Sequence, residues 1–295
     1  IRDTKDEIRD TKDEIRDTRD ETQPELRGTR HEALCTRHYA RGTMHDFHDI
    51  RIALLRIEGT NCEQEIFDVC SRLNTKPEFV HLKEFEKKGS KKSLADYQFL
   101  VLPGGFSAGD YVRAGAIFAA RLKTTIMNQL ENFIHDGKPV LGICNGFQIL
   151  VELGLLPDIR IVHSAEPRVH TPKSALITND SFRFECRHVY LSHENKRKCI
   201  FTKSLNYKQR VIMPCAHAEG KLIFSRENSQ KILKKLIAND EIVFRYVDSA
   251  GNYASYPWNP NGSIYNIAGL CNSTGTVLGL MPHPERVFYR YQHHR

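Results

Sequence analysis

The sequence predicts an α/β protein: a doubly wound, mainly parallel sheet with an antiparallel extension at one edge. Two observations carry this. Between Ile50 and Gly154, short apolar runs alternate with stretches of helical period, the pattern of a parallel sheet covered on both faces. Beyond residue 183 the strand-like runs follow one another without long helices, which suits antiparallel strands added at an edge.

The elements follow in order. "IRIALLRI" at 50–57 is short, apolar and ended by Glu58-Gly59, a buried strand. "TNCEQEIFDVCSRLN" at 60–74 is a helix, with Ile66, Val69, Cys70 and Leu73 on one face and Thr60 with Glu63 as a capping box. "EFVHL" at 78–82 is the second strand, and "DYQFLVLPGGFSAGD" at 96–110 holds the third, ending in a glycine loop. "AGAIFAARLKTTIMNQLENFIHDG" at 114–137 reads as one long helix closed by Gly137. "KPVLGI" is the fourth strand and "GFQILVELG" a helix closing at Gly154. The winding expected is flavodoxin-like. In the second half, "RFECRHVYL", "RVIMPCAHAEGKLIF" and "EIVFRYVD" read as strands, with a short helix in "SQKILKKLIAND". "IAGLCNSTGTVLGLMPHPE" is a hairpin turning at Asn272-Ser273-Thr274-Gly275.

The first 21 residues are three near-copies of a charged heptad, "IRDTKDE". Only Ile1, Ile8 and Ile15 are apolar in it, one position per heptad where a coiled coil needs two. Residues 1–43 are therefore expected to be a disordered, low-complexity tail, and residues 44–295 the folded domain. Met44 is the first methionine; the upstream part is either an appendage to a protein starting there or a partner-binding arm.

At 295 residues with 40% hydrophobic content, the chain is long enough for one large α/β domain. A net charge of +7 suits anionic substrates or an acidic partner, but the basic residues, such as Lys196-Arg197-Lys198, are scattered rather than interleaved with aromatics, so nucleic acid is not expected. No apolar run reaches membrane-spanning length and no secretory leader precedes the domain, so the expectation is a cytoplasmic protein without membrane association. None of the eight cysteines forms a C-x-x-C pair. His45 and His48 in "HDFH" can share a metal, but a lone pair at a charged terminus is ordinarily incidental, and no metal is expected.

One cysteine stands apart. Gly142-Ile143-Cys144-Asn145-Gly146 has the spacing of a nucleophile elbow, in which small neighbours two positions away permit a tight strand-to-helix turn. The corner places the sulfur at a helix N-terminus, where the dipole favours thiolate. The same pentapeptide also suits a small buried cysteine in a glycine turn. "LMPHPER" supplies His283 as a base and Glu285 as its orienter, or else is a plain surface loop. Gly104-Gly105 ends the third strand, and N–H groups of Gly105 and Asn145 suit an oxyanion hole; the glycines also suit phosphate binding or a bare turn.

Taken together, "LPGGFSAGDYVRAGAI", "LGICNGFQIL", "WNPNGSIYNIAGLCN" and "GLMPHPER" resemble class I glutamine amidotransferases, and more narrowly the glutaminase subunit of phosphoribosylformylglycinamidine synthase. "GTNCEQE", "RFECRHVYL" and "AHAEGK" are similar as well, so the resemblance runs from about Arg51 to Arg286. It implies Cys144 as nucleophile, His283 as base, Glu285 as orienter, Gly105 and Asn145 as oxyanion donors and Gln148 as a contact to glutamine. It also implies glutamine hydrolysis feeding ammonia to a separate large synthetase subunit that holds ATP and Mg²⁺, with a small bridging subunit, in purine biosynthesis. The chain itself shows no phosphate-binding G-x-x-x-x-G-K-[ST] loop and is expected to bind no cofactor. It departs from the family pattern at Glu58, Ala108 and Ala218, where proline, an aromatic and glycine are usual. The alternatives are another cysteine hydrolase of the same architecture, of peptidase or deglycase type, or a binding module that keeps the fold without the chemistry.

Overall fold

The computed structural model describes residues 47–85, 92–158 and 174–293. The heptad repeat, the domain boundary expected at residue 44 and His45 lie outside them. Strand β1 (Arg51–Arg56) leads through α1 (Glu63–Arg72) to β2 (Lys76–His81). β3 (Phe99–Leu102) follows, then α2 (Ala116–Thr125), α3 (Met127–His135), β4 (Val140–Ile143) and α4 (Asn145–Glu152). The second half comprises β5 (Ser174–Ile177), β6 (Glu185–His193), β7 (Arg210–His217), β8 (Lys221–Phe224), α5 (Ser229–Ala238), β9 (Ile242–Val247), β10 (Ile267–Cys271) and β11 (Val277–Leu280).

The main sheet runs β2-β1-β3-β4-β11-β10-β9-β6-β7. Its first five strands are mutually parallel, and every pairing from β11 to β7 is antiparallel. This is the doubly wound sheet with an edge extension. The chain leaves β1 toward β2 and returns on the other side at β3, so the loops after β1 and β3 diverge and open a crevice at the carboxyl ends of the strands. β1, β3, β4 and β11 are almost wholly apolar and buried, because helices occlude a parallel sheet from both sides.

Four sequence expectations need correction or addition. The capping box at Thr60 and Glu63 does not form: Cys62 is the N-cap residue of α1, Thr60 Oγ1 accepts the N–H of Ile57, and Glu63 pairs with Arg56. The long helix at 114–137 is broken at Ile126 (φ −136°, ψ 18°), within the β-branched run Thr124-Thr125-Ile126. Thr124 Oγ1 bonds back to the Arg121 carbonyl at 2.9 Å, a bond that loosens the turn just before the break. Gly137 does close α3, at φ 74°. The run 210–224 is two strands: β7 stays in the main sheet, while β8 leaves it to pair with β5 in a small second sheet. β5 itself is a four-residue strand that the sequence reading passed over.

Candidate active site

Cys144 sits between β4 and α4 with φ 51° and ψ −105°. A non-glycine residue in that region carries about 1–3 kcal/mol of backbone strain, sustained only where the surroundings hold it. Here the Cys144 N–H is held by the Leu280 carbonyl of β11 at 2.8 Å, and the Cys144 carbonyl already accepts from Gln148 N at 3.1 Å in α4. The two flanking glycines are steric requirements. A Cβ on Gly142 would lie 2.6 Å from the Gly146 carbonyl oxygen, and one on Gly146 only 1.9 Å from that of Leu102. The elbow therefore packs directly on the end of β3, the strand that carries Gly104.

His283 reaches the same place from β11. Its N–H donates to the Pro214 carbonyl of β7 at 2.8 Å, and Pro284 starts a short turn that holds Glu285. Nδ1 donates to Glu285 Oε1 across 2.6 Å, with both side chains buried. That bond fixes the ring, and Nε2 is left buried without a hydrogen-bond partner. The convergence with the cysteine is measured at Gly104: a Cβ there would stand 2.9 Å from His283 Cε1 and 3.4 Å from Cys144 Cβ. Only a residue without a side chain leaves the two groups room to meet.

Burial, the largest influence, pushes the Cys144 thiol up. Cys62 and then the carboxylate of Glu285 act in the same direction, and the backbone N–H of Asn145 opposes them. Desolvation of the buried sulfur thus works against the thiolate that a helix N-terminus favours. The thiol instead donates to the Ala216 carbonyl at 3.5 Å.

Behind the elbow a directed chain of buried amides sets the remaining polar groups. Ser107 Oγ donates to Asn145 Oδ1 (2.6 Å), Asn145 Nδ2 to Gln148 Oε1 (2.9 Å), and Gln148 Nε2 to the Glu219 carbonyl (2.6 Å). Asn145 and Gln148 therefore flank Cys144. Gly105, at φ 112°, pairs with Thr60 in an isolated bridge, and its missing Cβ leaves the space filled by Asn61.

Four further residues of this region escaped the sequence reading: Ser107, Asp110, His217 and Glu219. Each lies in a motif, "GGFSAGD" or "AHAEG", whose pattern was noticeable without giving any side chain a role. Glu219 accepts the Ala114 N–H at 3.1 Å. Asp110 lacks a partner for Oδ1, and burial followed by the charge of Glu219 raises its pKa to about 6. His217, fully buried, is lowered to about 4, first by burial and then by His283. Among the described residues no group of three or more His, Cys, Asp or Glu is arranged to hold a metal.

The family model for the CobB/CobQ-like glutamine amidotransferase domain matches residues 49–295. The subunit PurQ of phosphoribosylformylglycinamidine synthase from Archaeoglobus fulgidus is 54% identical over 84% of this chain and 91% of its own. The Picrophilus torridus subunit is 47% identical over 82% and 89%. The chain belongs to the PurQ family of glutamine amidotransferases. Among solved structures, PurLQS from Thermotoga maritima superposes with a TM-score of 0.62 at 31% identity, covering 83% of this chain and 92% of that one.

Within that family the three departures seen in the sequence find local explanations. Glu58 stands on the surface between Lys83 and Arg121, whose hydrogen bonds hold its carboxylate down at about 2, while its carbonyl accepts the Ala108 N–H at 2.8 Å. Ala108 takes φ 52° in the loop that follows Gly105. The Ala218 carbonyl accepts the Asn179 N–H at 2.9 Å, a backbone bond that does not depend on the side chain. Among the described residues no helix is long and apolar enough to cross a membrane.

Proposed function

We propose that this chain hydrolyses glutamine to glutamate and ammonia through Cys144, His283 and Glu285, and passes the ammonia to a separate synthetase subunit that makes formylglycinamidine ribonucleotide from formylglycinamide ribonucleotide. The observation that carries the reading is the meeting of the strained Cys144 elbow and the buried His283–Glu285 pair over the bare backbone of Gly104.

The chemistry follows from the geometry. With the thiol disfavoured as a resting anion, proton removal is coupled to attack: the free Nε2 of His283 takes the proton as sulfur bonds to the side-chain carbonyl carbon of glutamine. Glu285 stabilises the imidazolium so formed and keeps the ring in register. The oxyanion is held by the Asn145 N–H, the first backbone donor after the nucleophile, with Gly105 as second donor. Collapse expels ammonia as His283 returns the proton, leaving a glutamyl thioester. Water, deprotonated by the same imidazole, then releases glutamate and restores the thiol. Gln148, tied to Asn145 and to the Glu219 backbone, shapes the substrate cleft.

The partner is read from the relative solved as PurLQS and from the exposed face beside the site. Tyr111, Val112 and Phe182 are largely solvent-exposed, and Phe106 meets Phe184 with ring centroids 6.2 Å apart. Exposed apolar side chains on the loops that follow Gly105 and precede β6 suit a protein surface that covers them. ATP and Mg²⁺ are assigned to that synthetase subunit, and a small third subunit completes the assembly. The test is stoichiometric labelling of Cys144 by a glutamine-like electrophile, read by mass spectrometry, together with ammonia release from glutamine by the chain in complex with its synthetase. Absence of both would remove the reading.

A further inference from the structure

His217 has a polar atom that the mechanism does not use. Its side chain is 2% exposed, and Nε2 has no hydrogen-bond partner. The tautomer can be assigned from the neighbours. Asn179 Nδ2 donates to two backbone carbonyls, those of His217 (2.9 Å) and Arg183 (3.0 Å), and Asn179 Oδ1 accepts the Gly220 N–H at 2.9 Å. The amide is therefore oriented with its oxygen toward His217 Nδ1, 3.2 Å away, and Nδ1 must carry the proton. Nε2 is then a bare lone pair, buried and unsatisfied. A Cβ on Gly220 would stand 2.6 Å from both Cε1 and Nδ1, so glycine there is what gives the ring room in this orientation.

A buried acceptor left without a donor is costly and calls for an explanation. Protonation is no remedy: burial and the neighbouring His283 hold the ring neutral down to about pH 4. What the site lacks is a ligand that brings an N–H. The strand brings this residue close to the nucleophile and its base: the carbonyl of the preceding residue, Ala216, receives the Cys144 thiol at 3.5 Å, and His283 acts electrostatically on the His217 ring.

Resting on the glutaminase reading, we infer that His217 Nε2 accepts a hydrogen bond from the carboxamide nitrogen of glutamine, orienting the leaving group toward His283 and selecting an amide over an ester. The substrate amide has two N–H bonds, one for His217 and one to spare, and the ammonia it becomes has three. An ester oxygen in the same place has none and would set one lone pair against another. A site built to pair a donor discriminates strongly against an analogue that lacks it.

The experiment compares kcat/KM for glutamine and for glutamate γ-methyl ester, using the full chain in complex with its synthetase subunit. His217→Asn keeps an amide donor near Nδ1 for Asn179 and removes the acceptor at Nε2. The expected result is a fall of about tenfold or more on glutamine with less than about twofold on the ester. An equal fall on both substrates, or none on either, would overturn the inference, because the α-ammonium and α-carboxylate are common to both. A second measurement leaves His217 intact: in the Cys144→Ala chain with ¹⁵N-labelled histidine, the Nε2 resonance moves upfield on saturation with glutamine and not with the ester. An unmoved resonance refutes the contact even if the Asn variant fails to fold. Wild-type chain that neither labels at Cys144 nor releases ammonia would instead indict the glutaminase reading itself.

Discussion

His283 and Glu285 are joined by a buried hydrogen bond of 2.6 Å, two residues apart in sequence, with Pro284 between them setting the backbone. Because the carboxylate fixes the imidazole through Nδ1, Nε2 is left free to face whatever enters beside Cys144. Glu285→Gln keeps the shape and can still bond to the ring, but it favours the wrong tautomer and no longer balances an imidazolium. The expected loss in kcat for ammonia release is about 10²–10⁴-fold, with KM for glutamine little changed.

Gly104 should be intolerant for a reason local to the chemistry. An alanine methyl would press on His283 Cε1 at 2.9 Å and separate the ring from the sulfur. Gly104→Ala is expected to keep the fold, seen by circular dichroism, and to lose roughly 10²-fold or more in glutaminase rate. Gly137→Ala is the control. Nothing lies within 4 Å of that Cβ, so its cost is confined to about 1 kcal/mol of stability from the positive φ of 74°, with activity retained in the folded fraction.

The backbone at Cys144 offers a separate reading of strain. Cys144→Ala and Cys144→Gly should both abolish turnover, by at least about 10³-fold. Glycine accepts φ 51° without penalty, so in urea titration Cys144→Gly should match or exceed Cys144→Ala in stability, by about 1 kcal/mol. A glycine variant clearly weaker than the alanine variant would show that the corner stores no strain.

Two titratable groups, one partly and one fully buried, pull the pH dependence of stability in opposite directions. Asp110 rises from 3.8 to about 6 on folding, first through burial and then through Glu219. The folded chain therefore binds more protons than the unfolded one between those values, and this group's contribution falls as pH rises through them. His217 drops from 6.5 to about 4, so the unfolded chain binds more protons there, and its contribution grows over the same interval. Denaturant titrations at pH 4, 5 and 7 should show Asp110→Asn gaining on wild type as pH rises. For His217→Asn the difference from wild type should move the opposite way, toward relative loss with rising pH. Identical profiles for the two variants would contradict both assignments.

Much of the fold was legible because its cause is local. A four- to six-residue apolar run ended by glycine is a buried strand whatever surrounds it, and β1, β3, β4, β9 and the β10–β11 hairpin lie where the pattern puts them. The misread segments are those where distant contacts override the pattern. Nothing in "RVIMPCAHAEGKLIF" announces that the chain changes sheets after His217; that depends on β5, whose residues pair with partners 44 to 50 positions downstream. The Thr60–Glu63 cap is lost because Arg56 and the Ile57 N–H compete for the same side chains.

The sequence by itself determined the chemistry available: a cysteine between two glycines and a His-Pro-Glu loop, residue types and spacings that can be read without the fold. Only the tertiary structure decided how those groups behave. It brought Cys144 and His283 together over Gly104, buried the thiol so that desolvation disfavours its anion, and left the Nε2 acceptor of His217 without a partner. Burial and long-range pairing depend on which strands become neighbours, and in a sheet ordered 2-1-3-4-11-10-9-6-7 that is settled by the packing of the whole domain, beyond the reach of any window of residues.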